Sequence, residues 1–402
     1  MTKWPRVAFF SDSYHGVDGV ATTCRNIVKA ARRRELPFLA VHAAERNSHS
    51  QEGSLEILEL ERGPFSFPLD LHLRFDLLFT RHYDRVLQVV REFRADVVHI
   101  TGPGDVGITG ARIAYELGIP LVASWHTNLH EFAASRLWKF ASLLPEEPRK
   151  GLAFLTQKYV LQACLRYYGI AQVILAPNEE HIRLIGANTS KPVFPMQRGV
   201  DAQLFSPIKR DVCDRIFRLG YVGRLRPEKN VRFLAKIEDS LRRDGLGNYR
   251  FLIVGDGSER AWLERTLRQA DFTGELFGEP LARAYANMDL FVFPSETDTF
   301  GNVVMEAMAS GTPAVVTSKG GPKYQVQNGV TGFVSTSEED FIARIKQTMA
   351  SPQLHRSLRV ASRLAASRKS WESVLDELHQ AYQACMWQSA SQPARAVLTP
   401  IV

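Results

Sequence analysis

The sequence predicts an α/β protein built from two tandem Rossmann-like, doubly wound domains facing across a cleft. Three observations carry that expectation. Short apolar runs alternate with longer amphipathic stretches, the pattern restarts halfway along, and 402 residues at 45% hydrophobic content suffice for two cores. In the first half RVAFFSD, PFLAVHA, ADVVHITG, IPLVASWH and AQVILAPN read as parallel strands, with helices over 79–94 and 107–118. In the second half the strands are FRLGYVGRL, YRFLIVGDG, FTGELFG, DLFVFPS, TPAVVTS and TGFVS, with helices near 230–244, 258–270, 280–288 and 302–310. Ligands of such sheets bind outside the carboxyl ends of the strands, which puts the expected site in the cleft.

The boundary falls near 198–210, where RGVDAQLFSPIKR mixes turn formers, charge and proline. Domains are accordingly expected at 1–200 and 201–371, followed by a helical segment and tail at 372–402; residues from about 388 onward read as frayed. Cys24, Cys164, Cys213 and Cys385 are scattered without a CxxC pair, which argues against a zinc ribbon or a disulfide framework and favours a reducing cytoplasm. Neither a secretory leader nor a membrane-length apolar run is read in the chain. A net charge of +7 and a pI near 9.2 fit an anionic partner, but charge alone does not choose among nucleic acid, acidic lipid and a sugar diphosphate.

The most informative stretch is 290–313, LFVFPSETDTFGNVVMEAMASGTP: an apolar strand, a polar loop, and a helix. Loop amides and a helix start beyond a strand's carboxyl edge form a phosphate address. Asp298 just before the helix and Glu306 about two turns into it offer acceptors for sugar hydroxyls, and Phe300-Gly301-Asn302 supplies close backbone approach. At the opening of the second domain, GRLRPEK places Gly223, Arg224, Glu228 and Lys229 at a strand exit, a fork and a point charge suited to a departing diphosphate. FLIVGDG adds Gly255 and Gly257, whose small size admits a nucleoside or phosphate.

The first domain has its own candidates. Gly16 and Gly19 bracket the turn after the first strand, where a helix N-terminus offers unpaired N–H groups to a diphosphate. His126 ends the strand IPLVASWH and is a positioned donor or acceptor; with His130 and Glu131 it also allows a weaker metal-ligand reading. TGPGDVG at 101–107 contains a complete G-x-G-x-x-G, yet the next strand ends in His126 where a dinucleotide site wants an acid. Segment 131–168 interleaves aromatics and bases, and Trp138 and Phe140 beside Arg136 and Lys139 could enter an anionic lipid interface or pack on the first domain.

Taken in order, the first glycine loop, His126-Thr127, GRLRPEK, VGDG and DTFGNVVME resemble the family 4 glycosyltransferases of GT-B fold over nearly the whole chain. Two departures stand out: Asp298 replaces the usual first glutamate, and Tyr324 in GGPKYQV stands where many relatives carry Glu. The resemblance implies a retaining, metal-independent transfer of a hexose (glucose, mannose or galactose) from a UDP or GDP sugar to a hydroxyl on a glycolipid or growing glycan. It implies that Arg224 and Lys229 stabilise the leaving diphosphate, that Glu306 holds the ribose, and that Asp298 with the Phe300 to Val303 amides, including Gly301 and Asn302, grips the sugar. It places His126 near the anomeric centre, Glu275, Leu276 and Phe277 against the base, and the Gly16–Gly19 loop over donor or acceptor. The last helix is implied to cross back onto the first domain. No cofactor beyond the sugar nucleotide, no metal and no nucleic-acid partner are expected; peripheral contact with the inner face of an anionic membrane is. The competing readings are an NAD-linked oxidoreductase using 101–107 and a basic nucleic-acid scaffold.

Overall fold

The structure is a computed structural model that describes residues 3–16, 18–64, 66–68, 74–141 and 145–391; the expected frayed tail beyond 391 lies outside them. The chain forms two compact units, one of residues up to Gln197 together with those from Val374 onward, the other of Arg198–Ser373.

In the first unit the strands are β1 (Val7–Ser11), β2 (Phe38–Ala44), β3 (Ser48–Glu52), β4 (Leu55–Glu61), β5 (Ser66–Pro68), β6 (Arg74–Asp76), β7 (Val97–Ile100), β8 (Leu121–Ser124), β9 (Val173–Ala176) and β10 (Val193–Pro195). Eight of them form one sheet in the order β10-β9-β8-β7-β1-β2-β4-β3, with only β3 antiparallel to its neighbour, while β5 and β6 pair separately. β1, β7, β8 and β9 are buried along their whole length, as strands covered on both faces require. β3 and β4 were not among the expected strands. β4 reads LEILELE, and only Leu55, Leu58 and Leu60 are buried in it, so its core-facing pattern is irregular.

The second unit holds β11 (Phe217–Val222), β12 (Tyr249–Val254), β13 (Ala270–Gly274), β14 (Leu290–Phe293), β15 (Ala314–Thr317) and β16 (Gly332–Ser335), all parallel, in the order β13-β12-β11-β14-β15-β16. The helix expected over 258–270 runs only from Arg260 to Thr266. Buried Glu238 explains the early stop: its carboxylate accepts the amides of Arg268 at 2.9 Å and Gln269 at 3.0 Å, drawing them out of the helical ladder and into the approach to β13.

The last helix, Trp371–Ser391, buries Val374, Leu375, Leu378, Ala381, Tyr382 and Cys385, a stripe of helical period packed in the first unit. The Tyr382 hydroxyl is hydrogen-bonded to His99 Nδ1 at 2.8 Å, and Nε2 of the same ring meets Ser124 Oγ. Burial holds His99 down to about 3, so the ring is neutral and serves as a polar staple in an apolar wall. Among the described residues no helix is long and apolar enough to cross a membrane.

Each sheet has one place where strand order reverses: between β1 and β7 in the first, between β11 and β14 in the second. Loops leaving the carboxyl ends of these pairs define the crevices where ligands of doubly wound sheets bind.

Candidate active site

In the second unit the loops at the reversal point are 223–229, after β11, and 294–301, after β14. They meet through an ion pair, Lys229 Nζ donating to Asp298 Oδ1 at 2.6 Å, with both side chains largely buried. Burial pushes the Asp298 carboxyl up, but the charge and hydrogen bond of Lys229, the Ser295 hydroxyl and nearby Arg224 together hold it below the usual carboxylate range. Lys229 and Asp298, assigned separately to phosphate and sugar from the sequence, therefore neutralise each other. The loops are braced further by the Thr297 hydroxyl, which donates to the Glu228 carbonyl at 3.1 Å, and by Tyr221, whose hydroxyl donates to the Arg224 carbonyl at 3.1 Å.

The helix after the loop is Asn302–Ala309, and its N-cap, Gly301, sits at φ +87° with no side chain capping the first amides. Only glycine adopts that angle without strain, and a Cβ there would also lie 2.9 Å from Pro322 Cγ. A helix start with no capping side chain at Gly301, together with the helix dipole, suits an anion. Phe300 is buried under the Arg198 guanidinium at 5.0 Å, and Arg198 also donates to Asn302 Oδ1 at 3.1 Å, fixing the helix entrance. Val303 is partly buried against the core.

Glu306 is the fifth residue of this helix, one turn in rather than the two expected. Tyr285 donates its hydroxyl to Glu306 Oε2 at 2.9 Å. Burial raises the Glu306 carboxyl to about 7, with the Tyr285 hydrogen bond pulling the other way, so near neutral pH it is poised between acid and carboxylate. Beyond β13, Glu275 is exposed, Leu276 packs on the core and Phe277 is 59% exposed, a ring face open to stacking.

Gly255 requires a different account from the one its sequence context gave. A Cβ on it would lie 2.0 Å from the Gly223 carbonyl oxygen, and the Gly223 amide donates to the Val254 carbonyl at 3.0 Å. Contact between the exits of β11 and β12 therefore requires a glycine here by itself.

The first unit also departs from expectation. The amides expected to be unpaired at the Gly16–Gly19 turn are occupied: Asp18 caps helix Gly19–Arg33 and accepts from Val20 at 2.8 Å and Ala21 at 3.0 Å. At the reversal point, Asp12 accepts from the Gly107 amide at 2.9 Å and the Gly104 amide at 3.1 Å. The G-x-G-x-x-G turn therefore already holds a carboxylate, supplied by the chain itself, which removes the physical basis of the NAD reading. Burial lifts Asp12 to about 7 against the pull of those amides. His126 lies two residues past β8 and is buried. The turn after it is tied by Asn128, whose Oδ1 accepts from Trp125 Nε1 at 3.2 Å and lies 2.7 Å from His181 Nε2. His130 stands on helix Leu129–Phe140, so His126 and His130 share no helical face. Trp138, read from the sequence as either entering lipid or packing on the first domain, lies under Arg149 at 4.0 Å; the side chains of Lys139 and Phe140 fall outside the described residues.

Sequence reasoning missed Asp12, Asp18, Asn128, Arg198, Ser295 and Tyr285. Asp18 carried a signal, an acid directly before a helix. Asp12 and Tyr285 act across 92 and 21 residues of chain and carried none.

Comparison with known proteins gives the family and the fold. The family model described as Glycosyltransferase Family 4 matches residues 17–204, and that described as Glycosyl transferases group 1 matches 216–351. A GDP-mannose-dependent alpha-mannosyltransferase of Mycobacterium tuberculosis is 34% identical over 319 residues, 77% of this chain and 78% of that protein. One of the same description from Corynebacterium glutamicum is 28% identical over 94% of this chain and 88% of its own. The solved sucrose-phosphate synthase of Thermosynechococcus elongatus superposes with a TM-score of 0.71 at 16% identity, covering 97% of this chain and all of that one, a likeness of fold. The chain belongs to glycosyltransferase family 4, has the GT-B fold of two Rossmann-like domains, and transfers a sugar from a nucleotide sugar.

Proposed function

We propose that the chain is a retaining mannosyltransferase that uses GDP-mannose and a hydroxyl acceptor on a lipid or glycan. The choice of donor rests on the relatives described as GDP-mannose-dependent, and the site assignment on one observation: Lys229 and Asp298 paired at the sheet's reversal point beside an uncapped helix. On this reading the diphosphate displaces Asp298 from Lys229, takes Lys229 and Arg224 as counter-charges, and lies against the Phe300 to Val303 amides. Freed Asp298 accepts from sugar hydroxyls, ionised Glu306 accepts from the ribose, and Phe277 stacks on the guanine.

In the transfer step the bond between the anomeric carbon and the β-phosphate oxygen breaks. The acceptor oxygen bonds to the same face of that carbon, and its proton passes to the departing phosphate. Negative charge grows on the diphosphate, so cations fixed in advance favour the transition state. Divalent metal is not needed for that neutralisation on this reading. The part assigned to His126, beside the transferring sugar, is carried by the family resemblance. A lipid acceptor fits peripheral contact with anionic membrane, for which exposed Phe154 (66%) and Tyr159 (62%) on helix Glu146–Tyr168 are better candidates than Trp138.

A thermal-shift series with GDP, UDP, GDP-mannose and UDP-glucose tests the assignment. A ligand at a hundred times its Kd should add about 2.7 kcal/mol of stability. GDP compounds should shift wild type and not Glu306→Ala; UDP compounds shifting it more strongly, or an unchanged shift in Glu306→Ala, would overturn the donor or the ribose assignment respectively.

A further inference from the structure

The first unit contains a cluster to which the proposed transfer step gives no part. His15, His42 and Glu59 bring one ligand atom each to within 4.8 Å of one another, the single such group of three among the described residues. We propose that they form a binding site for a zinc-class divalent transition-metal ion, with the two imidazole Nε2 atoms and one Glu59 oxygen as ligands and a fourth position open to solvent.

The site is assembled by register and by a clamp. His42 on β2 and Glu59 on β4 are direct partners in the parallel ladder, so both side chains leave the same face of the sheet. Ser48, opposite Glu59 on β3, donates its hydroxyl to Glu59 Oε2 at 2.7 Å and leaves Oε1 for the histidines. His15 comes from the loop after β1, where the Arg25 guanidinium binds the carbonyl of Tyr14 on one side and that of Gly16, at 2.6 Å, on the other. The Tyr14 ring stacks on His42 at 3.7 Å between centroids, which fixes the imidazole plane.

The distances suit an ion. His15 Nε2 and His42 Nε2 lie 3.2 and 3.3 Å from Glu59 Oε1. Tetrahedral zinc with bonds of about 2.0–2.2 Å separates neighbouring ligand atoms by about 3.3–3.5 Å. Two imidazoles and one carboxylate select zinc, copper or nickel over magnesium or calcium, which want oxygen. The His15 side chain is 55% exposed, leaving a route in and room for water as fourth ligand. His42 Nδ1 has no hydrogen-bond partner, so an ion on Nε2 leaves its N–H unsupported; affinity should sit about 10–100-fold below that of a site with a complete outer shell. An ion here would tie the loop after β1 to the sheet.

The test is a titration of the chelator-stripped full chain with Zn²⁺ alone against a chromogenic chelator, paired with Co²⁺ substitution read by visible absorption. Wild type should bind one ion per chain with the intense d–d bands of tetrahedral Co²⁺. Ser48→Ala should weaken binding about 10–100-fold, and His15→Ala, at an exposed side chain, by more. Equal Zn²⁺ affinity in wild type and His15→Ala, or no tetrahedral Co²⁺ spectrum, would show an ordinary hydrogen-bonded triad and overturn the site. Should His15→Ala fold poorly, an unweakened Ser48→Ala, bound as tightly as wild type, overturns it equally.

Discussion

The two sheets reverse strand order at corresponding places, and the chain treats those places in opposite ways. At the β1/β7 crevice the helix-start amides are filled from within, by Asp12 on Gly104 and Gly107 and by Asp18 on Val20 and Ala21. At the β11/β14 crevice the helix Asn302–Ala309 begins at a glycine that brings no capping side chain, and the carboxylate of the preceding loop, Asp298, is paired with Lys229. A sealed terminus repels a second anion, whereas an open one beside two cations attracts it. The contrast shows why glycine spacing alone misleads: the fuller G-x-G-x-x-G fingerprint belongs to the crevice that is closed.

Four substitutions probe the contrast. The largest effect is expected at the open crevice. Lys229→Ala should lower kcat/KM for sugar transfer about 100- to 1,000-fold, as for the loss of one preorganised charge stabiliser, measured with radiolabelled donor. Glu306→Gln should weaken donor binding by about 10- to 100-fold, the worth of a hydrogen bond to a charged group, by calorimetry. It should also flatten a pH dependence. In wild type the ribose hydroxyls need the carboxylate, so affinity should rise as pH rises through about 7 and level off above it.

At the sealed crevice, Asp12→Ala should destabilise the fold by about 1–3 kcal/mol through its orphaned amides, and added phosphate should restore part of that loss in the variant but not in wild type. Linkage gives the sign of a companion experiment. Folded Asp12 and Glu306 keep protons up to about pH 7 that the unfolded chain releases near 3.8 and 4.5, so their contribution to stability falls as pH rises across that window. Chemical denaturation from pH 4 to 8 should show a shallower decline in Glu306→Gln than in wild type. The smallest effect belongs to Tyr285→Phe: about 1 kcal/mol of stability, with the affinity midpoint moving to higher pH because the hydroxyl no longer favours the Glu306 carboxylate.

Much of this was readable in advance because it is local. Buried parallel strands appear as unbroken apolar runs, and Asp298, Phe300, Gly301 and Glu306 fall within one strand-loop-helix segment whose order fixes their neighbourhood. What could not be read depends on distant partners. Glu238 cuts short a helix thirty residues on by taking two of its amides, and no property of 258–270 announces it. Lys229 looked like a phosphate ligand and Asp298 like a sugar ligand, but their pairing across 69 residues exists only once β11 and β14 lie side by side. Gly255 has a second reason to be glycine that its own segment does not announce, the close approach of the neighbouring strand exit.

The route of the chain through its two units has a practical consequence. The Val200 amide donates to the Lys369 carbonyl at 2.8 Å, so the stretch from Arg198 to Ser373 begins and ends side by side. It is thus a contiguous cassette spliced into a host that takes up all but the first turn of the final helix, the arrangement that lets inserted domains be exchanged. Cutting at 198 would leave His99 and Ser124 without Tyr382, whereas excising the cassette and bridging its ends would leave that staple whole.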